Sequence, residues 1–187
     1  IYIDPPYDSK ADYRTKVRLP DTEIEQRPTV IEQFAYSDTW SDGTASYLRM
    51  IVPRLVLLRE LLADTGSIYV HLDWHVNGYV KVALDEIYGK GQFRNEIIYC
   101  YSGGGLPERE MPRKHDNIYW YTKGVVWTFN TQYRPYSEGT VQRGRTAVKG
   151  EDAQLRAEGT PINDWWPDVK KITSPTDPEK LYYDTQK

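Results

Sequence analysis

Ile1-Tyr2-Ile3-Asp4-Pro5-Pro6-Tyr7 opens the chain and decides how the rest is read. Ile1-Tyr2-Ile3 has the composition of the last residues of a buried strand. Asp4-Pro5-Pro6 must stop that strand, because proline lacks the backbone donor that a ladder needs and restrains the residue before it. Open α/β sheets bind their ligands outside the carboxyl ends of their strands, which is where this stiff loop would lie. At ordinary residue frequencies the tetrapeptide would arise by chance in roughly one chain of this length in a thousand. Read blandly, it is a rigid strand-ending turn with an exposed tyrosine.

Outward from the motif, residues 8–45 are polar and poorly periodic, with Pro20, Pro28 and Gly43 as breakers, and read as a long functional loop or lid. From 46 to 62 the apolar residues Tyr47, Leu48, Ile51, Leu55, Leu58 and Leu62 recur at spacings of three and four, so a helix is expected. Pro53 should kink it or divide it in two. Asp64-Thr65-Gly66 ends the helix, and 67–72 is a strand, which makes half of a βαβ unit. A second amphipathic helix spans 76–88, with Val80, Leu84 and Ile87 on one side and Gly89 at its end. Strands follow at 96–101 and 117–121, and 125–129 is expected to form a hairpin with the latter around Lys123-Gly124. After Asn130 periodicity fades into an irregular module.

The 187 residues suit one domain, or a core with a small appended module. With 39% hydrophobic and 27% charged residues, wholesale disorder is excluded. Cys100 is the single cysteine, so no internal disulfide can form, which fits a reducing compartment. No apolar run is long enough to span a membrane. A net charge of −3 rules out a uniformly basic coat but leaves room for a local one. Between 130 and 150, Arg134, Arg143, Arg145 and Lys149 face Glu138 alone. By charge this stretch is either a solvated surface or a nucleic-acid contact.

The motif's residue types suit one reaction. An exocyclic amino group on adenine or cytosine is a poor nucleophile, because its lone pair is delocalised into the ring. To react it must turn tetrahedral, with both hydrogens held away from the attacking lobe. The Asp4 carboxylate and the Pro5 carbonyl offer two acceptors converging on one amino group, and Pro5-Pro6 keeps that carbonyl in place. Tyr7 can stack on a base flipped out of the duplex. Two other features carry less. His71, Asp73 and His75 alternate along the 67–72 strand and its continuation, and would share one face able to hold a metal, but no cysteine or second cluster helps, and no metal is expected. Gly103-Gly104-Gly105 follows a strand but precedes no helix, so it reads as a loop that closes on DNA rather than a phosphate loop. Trp165-Trp166 reads as core packing.

Taken in order, these segments resemble the beta-type, adenine-specific DNA methyltransferases, above all the modification subunits of type III restriction systems. Residues 1–7 resemble the catalytic motif, and Trp40 with 46–62 the helix after it. Residues 66–73, 84–88, 93–99 and 115–123 resemble the strand, helix, strand and final hairpin region that follow. Residues 183–187 resemble the opening of the family's returning segment. The resemblance implies a Rossmann-like, S-adenosylmethionine-dependent methyltransferase sheet, incomplete here, with an irregular target-recognition module. It divides the chain into a partial catalytic domain (1–129), a recognition module (130–180) and the start of the returning segment (181–187). It implies Asp4, Pro5, Pro6 and Tyr7 as catalytic residues, with Asp4 and Lys187 as cofactor contacts and Arg134, Arg143, Arg145 and Lys149 as DNA contacts. The expected reaction is methyl transfer to N6 of a flipped-out adenine. N4 of cytosine, adenine in RNA, and a non-catalytic DNA-binding module of the same fold are the alternatives. Double-stranded DNA, a restriction subunit and a second copy are the implied partners, in the cytoplasm of a prokaryotic cell or encoded by a phage. The family's glycine-bearing cofactor motif would follow Lys187, so the chain is expected to be a fragment and inactive by itself.

Overall fold

The computed structural model describes residues 1–7, 12–18, 30–37, 43–102, 105–147 and 150–167. Strand β1 (Tyr2–Ile3) comes first. Strands β2 (Asp12–Arg18) and β3 (Val30–Ser37) form an antiparallel pair of their own, with a register shift between Tyr13 and Arg14. They occupy much of the stretch that composition reads as loop. Their apolar and β-branched residues are diluted by charge, so neither strand carries a clean alternation in sequence.

Helix α1 (Thr44–Leu61) buries Tyr47, Ile51 and Leu55, a single stripe at intervals of four. It runs on through Pro53 as one element rather than breaking in two. A proline inside a helix costs about 3 kcal/mol. Burying Ile51 and Leu55 on either side of it contributes about 1.5–3 kcal/mol each, and the packing wins. Strand β4 (Ser67–Leu72) and helix α2 (Asn77–Tyr88) follow, the helix burying Val80, Leu84 and Tyr88. Gly89 ends the helix at φ 89°, a conformation that suits glycine. Strands β5 (Phe93–Cys100) and β6 (His115–Thr122) complete the centre of the molecule. Beyond them lie the two-residue strands β7 (Tyr133–Arg134) and β8 (Thr160–Pro161), the short helix α3 (Glu138–Arg143), and β9 (Trp165–Trp166).

Five strands make one mixed sheet in the order β1-β4-β6-β5-β9. β1 is parallel to β4, β6 runs antiparallel to both β4 and β5, and β9 is parallel to β5. The expected hairpin between β6 and residues 125–129 does not form. Both edges of β6 are already paired, so a further strand has no hydrogen-bonding edge to use. Residues 125–129 leave the sheet instead, and Phe129 stacks on Trp120 at 5.3 Å between ring centroids. Tyr2 is 57% exposed, and among the described residues no strand pairs with β1 on the side away from β4.

The core lies on one face of this sheet. Ile68, Val70 and Leu72 of β4, with Tyr119 and Tyr121 of β6, meet the buried stripes of α1 and α2. The opposite face takes the alternate residues, Tyr69 and His71 from β4 and Ile118 and Trp120 from β6. At the lower end, the turn after α1 is clamped to the exit of β6. Lys123 donates from its backbone to the Gly66 carbonyl at 3.0 Å and from Nζ to the Leu62 carbonyl at 2.7 Å. Gly124 fits there because a Cβ would stand 2.6 Å from the Asp64 carbonyl oxygen. No helix among the described residues is long and apolar enough to cross a membrane.

Two measurements test this packing. Leu55→Ala is expected to destabilise the fold by about 2–5 kcal/mol in urea denaturation, and the exposed Leu57→Ala by less than about 0.5 kcal/mol. Burial pushes the Tyr88 phenol up to about 12. Burial, then the nearby Glu96 and Asp85 carboxylates, raise Tyr119 and Tyr121 as well. A raised phenol contributes stability that is complete below the unfolded-state value of about 10 and is lost as pH climbs through the folded-state value. The urea midpoint should therefore fall between about pH 10 and pH 12. A midpoint still flat near the top of that window would contradict the burial of these rings.

Candidate active site

Pairing with β4 fixes where the opening motif ends up. Tyr2 is opposite Tyr69 and Ile3 opposite Val70, and the Tyr69 amide donates to the Ile1 carbonyl at 2.9 Å. Two residues of ladder therefore deliver Asp4 to the carboxyl end of the sheet. The prolines then stop the strand, as their chemistry requires. Asp4 is exposed there, while Pro5, Pro6 and Tyr7 are half-buried. The Tyr7 hydroxyl donates to Asp4 Oδ1, so the first and last residues of the motif are brought together.

Behind the motif stands a polar and aromatic network that the sequence reading did not assemble. Its hub is His71, 8% exposed, on the sheet face away from the helices. His71 Nδ1 is 2.7 Å from the Tyr2 hydroxyl, and Nε2 is 3.2 Å from Asp116 Oδ2. The Tyr101 hydroxyl donates to the other Asp116 oxygen at 3.4 Å. The rings of Tyr2, Tyr7 and Tyr99 surround the imidazole, with centroids at 6.2, 6.1 and 5.4 Å. Burial, then the charge on Asp4, pushes the Tyr2 phenol up to about 12. Burial and the Asp116 carboxylate hold Tyr101 at about 12 as well. Both phenols stay protonated at neutral pH and act as donors.

The three residues weighed as a metal face are used otherwise. β4 ends at Leu72, so the alternation that would have aligned them stops. Asp73 and His75 close a tight turn on each other, with His75 Nδ1 2.5 Å from Asp73 Oδ2 and the His75 amide donating to Asp73 Oδ1 at 2.9 Å. Burial raises the Asp73 carboxyl above its ordinary value, with His75 pulling the other way. Among the described residues no group of three or more His, Cys, Asp or Glu is placed to hold a metal ion. The neighbouring Trp74 is covered by the Arg113 guanidinium at 4.2 Å, which itself pairs with Glu110.

The basic residues of the 130–150 stretch are spread out. Arg134 is half-buried in β7, paired with Thr160 of β8. Arg143 ends α3, and Arg145 lies just beyond the left-handed Gly144; both are exposed. Trp40, Gly103, Gly104, Lys149 and Lys187 lie outside the described residues. The two tryptophans read as core packing are at the sheet edge instead, Trp165 being 51% exposed and Trp166 half-buried. Among the described residues no strand pairs with β9 on the side away from β5. Trp166 lines a cavity of about 500 Å³ with Asn95, Ile97, Trp120, Phe129 and Asp164, among others. No residue of the motif or of the His71 network lines that cavity.

The network was hard to see in sequence because its members come from four strands. Tyr2, His71, Tyr99 and Asp116 meet only through strand pairing. The available signal was His71, a polar residue inside an otherwise apolar strand pattern.

Comparison with known proteins shows the family. The family model for N6/N4 methyltransferases, described as DNA methylase, matches residues 1–187. The type II methyltransferase M.EcaI of Enterobacter cloacae is 32% identical over 132 residues, covering 70% of this chain and 25% of that protein. The Mod subunit of the type III restriction-modification enzyme StyLTI, from Salmonella typhimurium, is 29% identical over 132 residues, 63% of this chain and 18% of that subunit. The EcoP15I Mod subunit of Escherichia coli is 25% identical over 134 residues, with 66% and 20% covered. The chain thus spans about a fifth to a quarter of the length of these curated relatives. A carboxylate on a proline-stiffened loop at the carboxyl end of a mixed sheet is thereby joined to a family match along the whole chain, and the protein belongs to the N6/N4 DNA methylase family.

Proposed function

We propose that this chain carries the catalytic motif and target-recognition module of a site-specific DNA methyltransferase that methylates N6 of an adenine flipped out of the duplex. The observation that carries the reading is the exposed Asp4 carboxylate, held beside Tyr7 on the Pro5-Pro6 loop at the end of β1. The sheet order, with β1 beside β4 and β6 antiparallel at the centre, supports a Rossmann-like methyltransferase sheet represented in part. Residues 1–129 would form the catalytic part, 130–180 the recognition module, and 181–187 the return toward the catalytic domain.

S-adenosylmethionine supplies, when bound, an electrophilic methyl group on a positively charged sulfur. Of the described residues, Asp4 suits that group by charge; Lys187, which lies outside them, is the further contact proposed on the returning segment. The chain's own part is to prepare the nucleophile. Asp4 and the Pro5 carbonyl accept the two amino hydrogens, which localises the nitrogen lone pair and aims it away from them. Tyr7 stacks on the flipped base. As the new N–C bond would form at the expense of the methyl–sulfur bond, leaving a neutral thioether, the nitrogen would turn acidic and its proton would pass to Asp4 or to water. Aspartate at the first position favours adenine in this reading, and N4 of cytosine would use the same chemistry. The names of the relatives suggest a restriction-modification setting, with double-stranded DNA, a restriction subunit and a second copy as partners.

Full-length protein given labelled S-adenosylmethionine and unmethylated DNA is expected to put label into N6-methyladenine, with Asp4→Ala lowering the rate by about a hundredfold or more. Label in N4-methylcytosine would correct the base and keep the mechanism. Absence of label from a folded protein that binds the cofactor would reject DNA as substrate and favour RNA or the non-catalytic module. Arg134, Arg143, Arg145 and Lys149 are the proposed DNA contacts. The double variant Arg143→Glu/Arg145→Glu should weaken DNA binding at all sequences. It should also lower the slope of log affinity against log salt by about two if both arginines meet phosphates. An unchanged slope would remove them from the interface.

A further inference from the structure

We propose that His71, held by Asp116, is a positioning residue for the 4–7 motif, fixing it through Tyr2 on one flank and Tyr7 on the other. The proposal rests on the methyltransferase reading above. The ladder between β1 and β4 ends at Ile3, and the prolines after Asp4 offer no amide donors to extend it. A carboxylate that must meet one amino group within a fraction of an ångström needs more support than that ladder, because a misplacement of about 1 Å can cost a hundredfold in rate.

His71 gives that support from the neighbouring strand. Its Nδ1 meets the Tyr2 hydroxyl at 2.7 Å, two residues before Asp4. Its ring faces the Tyr7 ring at 6.1 Å, and the Tyr7 hydroxyl in turn bonds Asp4. Asp116 decides which way the chain of donors runs. A carboxylate at 3.2 Å from Nε2 takes a proton on that nitrogen, which leaves Nδ1 as an acceptor and makes Tyr2 the donor. Tyr101 donates to the free lone pairs of Asp116 and keeps the carboxylate from turning away. With both ring nitrogens engaged, the buried imidazole has one orientation and one tautomer.

The test uses the full-length enzyme and the variants Tyr2→Phe, Asp116→Ala and their combination. Tyr2→Phe keeps the half-exposed ring and removes only the hydroxyl. It is expected to lower kcat about tenfold while leaving KM for DNA and cofactor affinity within about twofold. Asp116→Ala should do the same and also shift the ¹⁵N resonances of His71, since Nε2 loses its acceptor. The double variant should be no slower than the slower single one, because both changes break one chain of contacts. Tyr2→Phe at the wild-type rate, or losses that multiply in the double variant, would overturn the positioning role while leaving the methyltransferase intact. A wild-type enzyme that methylates no nucleic acid would overturn the proposed function and this role with it.

Discussion

Successive residues of β4 leave opposite faces of the sheet, and the two halves of the molecule depend on that alternation. Ile68, Val70 and Leu72 go down to the core under α1 and α2. Tyr69 and His71 go up, to stack on Trp120 and to hold the network behind the motif. A slip of one residue in register would exchange the two sets, putting an imidazole in the core and three aliphatic side chains beside the 4–7 loop. Each of the three aliphatic side chains contributes about 1.5–3 kcal/mol by burial, so the core fixes the register that the site then uses. Stability and the geometry of the candidate site are coupled here through a single strand.

The site follows from where strands end. β1 and β4 run parallel, so the last residue of β1 reaches the same end of the sheet as the turn after β4. Asp4 and the Asp73–His75 turn are both placed there by strand termination, one by proline and the other by an aspartate that caps its own turn. β6 enters the network from the opposite direction, and its first residues, including Asp116, meet the last residues of β4. An antiparallel strand at the centre of the sheet is therefore what lets a carboxylate so far along the chain orient a histidine on β4. A purely parallel arrangement would have brought the other end of β6 to that place.

The opposite end of the sheet shows how a close backbone approach limits sequence. Lys123 and Gly124 clamp the turn after α1, where a side chain on residue 124 has no room. This clamp holds α1 against β4, and α1 is the helix that carries Pro53 without breaking. Local propensity argued for a kink or a break at that proline, and the helix runs through it as one element, with burial on both sides offsetting its cost.

The sequence by itself determined the elements whose physics is local. The spacing of Tyr47, Ile51 and Leu55 set α1, that of Val80 and Leu84 set α2, and the apolar run at 67–72 set β4. Asp4-Pro5-Pro6-Tyr7 declared a stiff, chemically distinctive loop after a strand, because proline's missing donor acts on its immediate neighbours. It said less where the outcome is non-local. Residues 125–129 look like a strand and are not one, since both edges of β6 are taken. β2 and β3 look like loop and pair with each other. His71, Asp73 and His75 share a spacing in sequence, yet His71 turns to Tyr2 and Asp116 while the other two pair together. Which side chains meet across a sheet is decided by strand order and register. Those are set by burial of the whole apolar face at once, so only the tertiary structure could choose the partners of His71.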